Sequence, residues 1–250
     1  MSTDIDFNEA LSRLTARVTV VDDASPVDAA AQERADRLAR RAKAMASKGW
    51  ERRPLDLVTG RAERAYDETR AGVDKYLVAL RSIDNGEGGI ALLAGEKGCG
   101  KTAAAARWCY TRRPEAARFL RAAEFFRSSR YSRGDKDAGE APPIARDQLL
   151  REPALVLDDL GAEFADAAGS YCVDFDELLD RFYADKRILV ITTNIAYASA
   201  RQRDQARQAD PSVAADAPTF ADRYGERVAD RLRECGRWVA SSAPSLRGRP

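Results

Sequence analysis

Residues 95–102 read Gly95-Glu96-Lys97-Gly98-Cys99-Gly100-Lys101-Thr102, the pattern Gly, four residues, then Gly-Lys-Thr. That spacing suits the cradling of phosphate groups. Its glycines let the backbone wrap an anion with amides pointing inward, and a helix opening at the loop's end adds a partial positive charge. The expected nucleotide-binding stretch is Gly95, Glu96, Lys97, Gly98, Cys99, Gly100, Lys101, Thr102 and Ala103. Lys101 is placed to meet the β and γ phosphates of ATP, and Thr102 to set its hydroxyl on the Mg2+ ion that bridges them. Cys99 fills a variable position of the loop, where a structural or neutral role is expected.

The apolar run 154–157 leads into Asp158-Asp159-Leu160-Gly161. A carboxylate at the tip of a buried strand beside such a loop is where a metal-bound water finds an acceptor, so Asp158 is assigned to Mg2+. Asp159 is then placed to orient or deprotonate the attacking water, with Glu163 a second candidate for that task. The run 188–191 ends likewise in Thr192-Thr193-Asn194, and an Asn at that tip suits a hydrogen bond to the γ phosphate or the lytic water. Alone, an Asn at a strand end is more often a turn former; this one gains weight from the other two motifs. The chain has no histidine, and its four cysteines, Cys99, Cys109, Cys172 and Cys235, are widely separated, so neither zinc ligation nor histidine acid catalysis is expected.

These groups need a scaffold to bring them together. From residue 54 onward, short apolar strands alternate with helical stretches, the pattern of a parallel sheet covered on both faces. Strands are expected at 89–94, 117–120, 154–157, 187–192 and 237–241, with a helix at 102–112 that stops before Pro114. Residues 127–141 and 201–218 are polar and read as surface excursions. The first 50 or so residues differ, being rich in Ala and Arg and poor in branched apolar residues. Ser25 and Pro26 suit a helix start and Gly49 a stop, and Ala31, Ala35, Leu38, Ala42 and Met45 draw a thin apolar stripe between them. So little apolar area needs a partner to order it. The domain reading is therefore a helical N-terminal extension, 1–53, suited to docking a partner, followed by an ATPase domain, 54–250.

With 250 residues, the chain is long enough for a sizeable core. Its 41 basic and 40 acidic groups nearly cancel, so any contact with nucleic acid must come from local patches. No apolar run approaches the ~20 residues that cross a bilayer, so no membrane partner is expected. The first eight residues carry Asp4 and Asp6 and no apolar secretion signal, which makes cytoplasmic residence the expectation.

Taken together, the loop, Asp158-Asp159-Leu160-Gly161-Ala162-Glu163, Thr192-Thr193-Asn194 and the segment Tyr224-Gly225-Glu226-Arg227-Val228-Ala229-Asp230-Arg231-Leu232 resemble the AAA+ ATPases of the DnaC and IstB family, helicase loaders and transposition helpers. The likeness spans roughly residues 54–247. It implies an α/β P-loop NTPase fold of the AAA+ type, with a five-stranded parallel sheet and flanking helices. Phe220, Tyr224, Val228 and Leu232 recur every fourth residue, which predicts one helix with a buried stripe, ended by Gly236. By resemblance, Arg231 looks like the arginine finger that reaches a neighbouring subunit's ATP, which implies a homo-oligomer. Ser245-Leu246-Arg247 is similar to the family's closing Ser-aromatic-Arg, where Arg247 would touch nucleotide; the Leu departs from that pattern. Nine residues follow Ser241, so no full C-terminal lid domain is expected.

The resemblance implies a DnaC-like helicase loader that binds and hydrolyses ATP and engages a replicative helicase and single-stranded DNA. An IstB-like transposition helper shares the ATP site and stays open as the alternative. Arg107, Arg112, Arg113, Arg118, Arg121, Arg127, Arg130, Arg133 and Lys136 make a locally basic region that either tracks a phosphate backbone or solubilises helices. A metabolite kinase is disfavoured by the Thr-Thr-Asn strand and the Arg231 helix. An inactive adaptor is disfavoured by the retained Lys101, Thr102, Asp158 and Asp159.

Overall fold

The architecture comes from a computed structural model that describes residues 26–50, 55, 70–85, 88–113, 115–135, 138–162 and 170–241. The chain divides into two units, Met1–Arg40 and Arg41–Pro250. Of the first unit, residues 26–40 are described, and they are helical. They belong to α1 (Pro26–Ser47), whose side chains from Ala30 through Arg40 are exposed, so Ala31, Ala35 and Leu38 of the apolar stripe face solvent. The stripe is covered only near its end, where Ala42 is half-buried and Met45 fully buried within the second unit.

The second unit is built on five parallel strands in the order β2-β3-β4-β1-β5. These are β1 (Gly89–Gly95), β2 (Ala117–Arg121), β3 (Ala154–Leu160), β4 (Ile188–Thr193) and β5 (Gly236–Ser241). Each expected strand is present, with ends that move by one to three residues. Strands β1, β3 and β4 are buried along nearly their whole length, which is why they read as unbroken apolar runs rather than alternating ones. On one face, Leu92, Leu157, Leu189 and Ile191 pack under α4 (Ala122–Ser132), α5 (Arg146–Leu149), α6 (Ser170–Ala184), α8 (Phe220–Tyr224) and α9 (Glu226–Cys235). On the other, Ala91, Leu93, Val156 and Val190 pack under α2 (Arg70–Ser82) and α3 (Lys101–Arg112). The expected fold class, a five-stranded parallel P-loop sheet with flanking helices, is what the chain adopts.

The edge strand β2 is partly covered by residues 48–50. The Phe119 amide donates to Lys48 O at 2.9 Å, and Trp50 Nε1 donates to Ala117 O at 3.1 Å. Buried Glu152 accepts from Lys48 Nζ at 3.2 Å and Arg118 Nε at 2.5 Å, tying the same segment to the start of β3. Much of the basic region is neutralised within the fold in the same way: Arg113 pairs with Asp84 at 2.6 Å, Arg130 with Asp135 at 2.7 Å, and Arg133 with Asp174.

Two expectations are corrected, and a third, the surface excursion at 201–218, holds with a helix added. Residues 127–141 are not simply an excursion, because α4 continues through Ser132 with Ser128 and Ser129 buried; Ser128 donates to Ile144 O at 3.0 Å and Ser129 accepts from Arg146, so their polarity is satisfied inside. Residues 201–218 are surface-exposed but include α7 (Ala200–Ala209), capped by the Ser199 hydroxyl and with no residue buried. The single helix expected across 220–232 is two, because Gly225 takes φ 90 and ψ 153 between α8 and α9. Phe220, Tyr224, Val228 and Leu232 are nonetheless all buried. Ser25, Glu163, Lys136 and Arg247 lie outside the described residues, as does everything after Ser241.

The Gly225 conformation is accessible almost only to glycine, and a Cβ there meets nothing within 4 Å. Gly225→Ala should therefore destabilise through backbone strain alone, by about 1–3 kcal/mol, read as a fall in Tm of roughly 2–10 °C.

Candidate active site

Parallel strands deliver their C-terminal ends to one edge of the sheet, and the crevice outside that edge is where open α/β sheets take ligands. Here that edge brings together the loop after β1, Asp158 and Asp159 at the end of β3, and Asn194 just past β4. Register makes this close: Ala94 lies opposite Thr193, and Leu160 also pairs with Thr193.

The loop needs glycine for packing as well as for its turns. A Cβ on Gly95 would stand 2.6 Å from Ser241 O, 2.8 Å from the Tyr76 hydroxyl and 2.9 Å from Cys99 Sγ. Tyr76, buried on α2, donates its hydroxyl to Ala94 O at 2.7 Å and lies 3.2 Å from Cys99 Sγ, bracing the loop's entry. Burial, then the neighbouring Cys99, push the Tyr76 phenol above its ordinary pKa, which keeps that donor proton in place. Cys99 is buried in the loop wall, consistent with a structural role.

Lys101 is 5% exposed and opens α3. Its ammonium donates to Gly95 O at 2.8 Å, Glu96 O at 2.9 Å and Asn194 Oδ1 at 3.0 Å. An ammonium has three protons, so these oxygen acceptors satisfy it completely. Burial lowers the Lys101 pKa from the usual lysine value, opposed by the nearby Cys99, Asp159 and Asp158. Thr102 donates its hydroxyl to Asp158 Oδ1 at 2.8 Å, linking the start of α3 to the end of β3. Asp158 is buried; Asp159, next along, is exposed and sits at φ 56.

These residues fit the expected cofactor. The loop presents a buried cation held by nothing stronger than two main-chain carbonyls and one amide oxygen, all of which an anionic phosphate oxygen outbids as an acceptor. Thr102 and Asp158 place a hydroxyl and a carboxylate side by side, hard oxygen donors of the kind Mg2+ takes while drawing its remaining ligands from phosphate and water. Gly95 through Ala103, Asp158, Asp159 and Asn194 are thus gathered in one place.

Arg231 stands apart from them. It joins Asp176 at 2.9 Å and Asp180 at 2.5 Å on α6, and Arg227, one turn earlier, joins Asp176 at 3.1 Å. The Arg231 guanidinium is thus engaged by two carboxylates of α6. The sequence reading missed Asp176 and Asp180, whose i, i+4 spacing places both on one helix face but names no partner. It also missed Tyr76, which carried no signal beyond a buried position on an amphipathic helix.

No protein-family model and no curated protein matches this chain. Among solved structures, it is similar to the DnaC helicase loader, at 23% identity over 71% of this chain and 88% of that one, with a TM-score of 0.45. It is similar to DnaI at 17% identity over 73% and 93%, TM-score 0.44. A third is domain III of the Thermotoga maritima replication initiation protein DnaA, at 13% identity over 70% and 64%, TM-score 0.47. What those proteins do stays with them at such distances; the strand order and the loop define the fold on their own.

Because Asn194 shares Lys101 with the loop, Asn194→Ala should leave ATP affinity little changed or slightly raised while turnover falls by about 10²-fold, the size expected for losing one pre-set polar group at developing charge. Steady-state ATPase assays beside nucleotide titration check this.

Proposed function

We propose that this chain binds ATP with Mg2+ and hydrolyses it, acting as a DnaC-like helicase loader in DNA replication. The observation that carries the catalytic part is the convergence of Lys101, Thr102, Asp158 and Asn194 through direct hydrogen bonds at one edge of the sheet. The triphosphate enters the loop, and Lys101 exchanges its carbonyl acceptors for phosphate oxygens, a charge-assisted contact. Thr102 and Asp158 would hold Mg2+, which would supply neutralisation of the charge developing on the phosphate oxygens. Asp159 orients the attacking water and accepts the proton it releases. Release of Asn194 from Lys101 leaves its side chain to meet the γ phosphate or that water.

The helicase-loader part rests on the sequence resemblance, above all the segment containing Arg227 and Arg231. In this reading the protein is cytoplasmic, assembles as a homo-oligomer on single-stranded DNA, and places Arg231 at a neighbour's ATP. Residues 1–40, exposed from Ala30 to Arg40, are suited to gripping the helicase. The transposition-helper reading shares the ATP site and differs in partner.

Calorimetry with ATP and Mg2+ should show binding by the wild-type chain and none by Lys101→Ala; no heat with the wild type removes the ATPase reading. Arg231→Ala should keep ATP affinity while abolishing the part of turnover that rises with protein concentration or DNA, whereas the double variant Asp176→Asn with Asp180→Asn reports the loss of the α6–α9 clasp alone. Unchanged turnover in the Arg231 variant removes the finger. Deleting residues 1–40, which spares Met45 and Trp50 in the core, should abolish capture of a replicative helicase with ATP binding intact. Normal helicase capture by that truncation excludes the docking arm.

A further inference from the structure

We propose that Thr192 is a positioning residue for the proposed ATPase, its one hydroxyl setting both carboxylates at the end of β3. The inference deepens the ATPase reading and rests on it.

The end of β3 is irregular. Strands β3 and β4 run in step from Ala154 opposite Ile188 to Leu157 opposite Ile191, and the next pair is Leu160 with Thr193. Three residues are thus traversed on β3 for two on β4. Asp158 and Asp159 together face the single residue Thr192, the two-against-one count of a β-bulge. Such a bulge re-aims side chains, and here it sends Asp158 inward and Asp159 outward.

A bulge of this form is costly. Asp159 sits at φ 56, a left-handed conformation that is unfavourable for a side-chain-bearing residue and persists only where its surroundings hold it. Thr192 does the holding. The Asp159 amide donates to Thr192 Oγ1 at 3.0 Å, and the same oxygen donates its proton to Asp158 Oδ1 at 2.7 Å. The direction of both bonds is fixed by chemistry: an amide only donates, so the hydroxyl proton is left for the carboxylate. Asp158 Oδ1 also receives the Thr102 hydroxyl at 2.8 Å, so one carboxylate oxygen is pinned from β4 and from α3 together. Thr192 is fully buried, and its hydroxyl is taken up by these two bonds to the end of β3.

The consequence is a division of labour set by one side chain. Donation by Thr192 keeps Asp158 aimed at Thr102, where Mg2+ would be held, while acceptance from the Asp159 amide keeps the next carboxylate turned to the solvent side for water. A valine of nearly the same shape can do neither, and a serine can do both.

The test uses the full chain with Thr192→Val and Thr192→Ser. Amide hydrogen exchange in the nucleotide-free protein reads the Asp159 bond directly, without catalysis. Nucleotide titration in excess EDTA, then against rising Mg2+, separates phosphate binding from metal binding. T192V should exchange faster at the Asp159 amide, bind ATP in EDTA as the wild type does, and need roughly 10- to 100-fold more Mg2+ for half-maximal turnover, the usual effect of removing a support behind a metal ligand. T192S should match the wild type in all three. A wild-type magnesium titration in T192V overturns the proposal, as does a T192S that behaves like T192V. Should T192V fail to fold, T192S still decides: a shifted magnesium titration there overturns it. Failure of the ATPase reading is distinguishable, because the wild-type chain itself would then bind no ATP while the exchange comparison would still report on Thr192 and Asp159.

Discussion

A buried ammonium group must be surrounded by acceptors, and the position of Lys101 makes that requirement the constraint around which this unit is arranged. Its three oxygen contacts come from two elements far apart in sequence, the loop itself and Asn194 beyond β4. The loop supplies carbonyls only because glycines let the backbone turn them inward, and Asn194 arrives only because β4 lies beside β1 in parallel. These three oxygens occupy all the protons of the ammonium. Under the proposed function, binding of phosphate is an exchange of acceptors that frees the Asn194 side chain.

Support for this arrangement comes from both layers of helices. Tyr76 on α2 holds the carbonyl that precedes the loop, and the Cβ space at Gly95 is filled by Ser241 O, Tyr76 and Cys99. A loop so tightly backed resists rearrangement, which preorganises its amides. On the opposite layer, α6 and α9 are joined by the Asp176, Asp180, Arg227 and Arg231 cluster. Part of this cluster is exposed, and partly exposed ion pairs contribute little individually, so an arginine there can change partners at low cost.

The root of α1 belongs to this same unit. Met45 and Trp50 lie in the core, and the Lys48 carbonyl pairs with the edge strand β2. Covering an edge strand removes a template for unwanted pairing. Residues 30–40 of the same helix are exposed, Arg34, Arg37 and Arg40 among them.

Much of the site was legible in the chain because local spacing dictates local backbone. Gly95 to Thr102 reads as a phosphate loop by spacing alone, and the runs before Asp158 and Asn194 read as buried strands because strands covered on both faces lose their alternation. What remained hidden depends on partners distant in sequence. The break at Gly225 escaped because the four-residue repeat of buried positions continues through it; only the φ of the packed chain separates α8 from α9. The satisfied serines of α4 and the Arg231 clasp likewise needed their partners in view. The residue types and their order were thus enough to name the groups that meet at the sheet edge and the phosphate chemistry expected of them. The bulge that turns Asp158 and Asp159 to opposite sides was decided by tertiary structure, because Thr192 meets them only when β4 lies against β3.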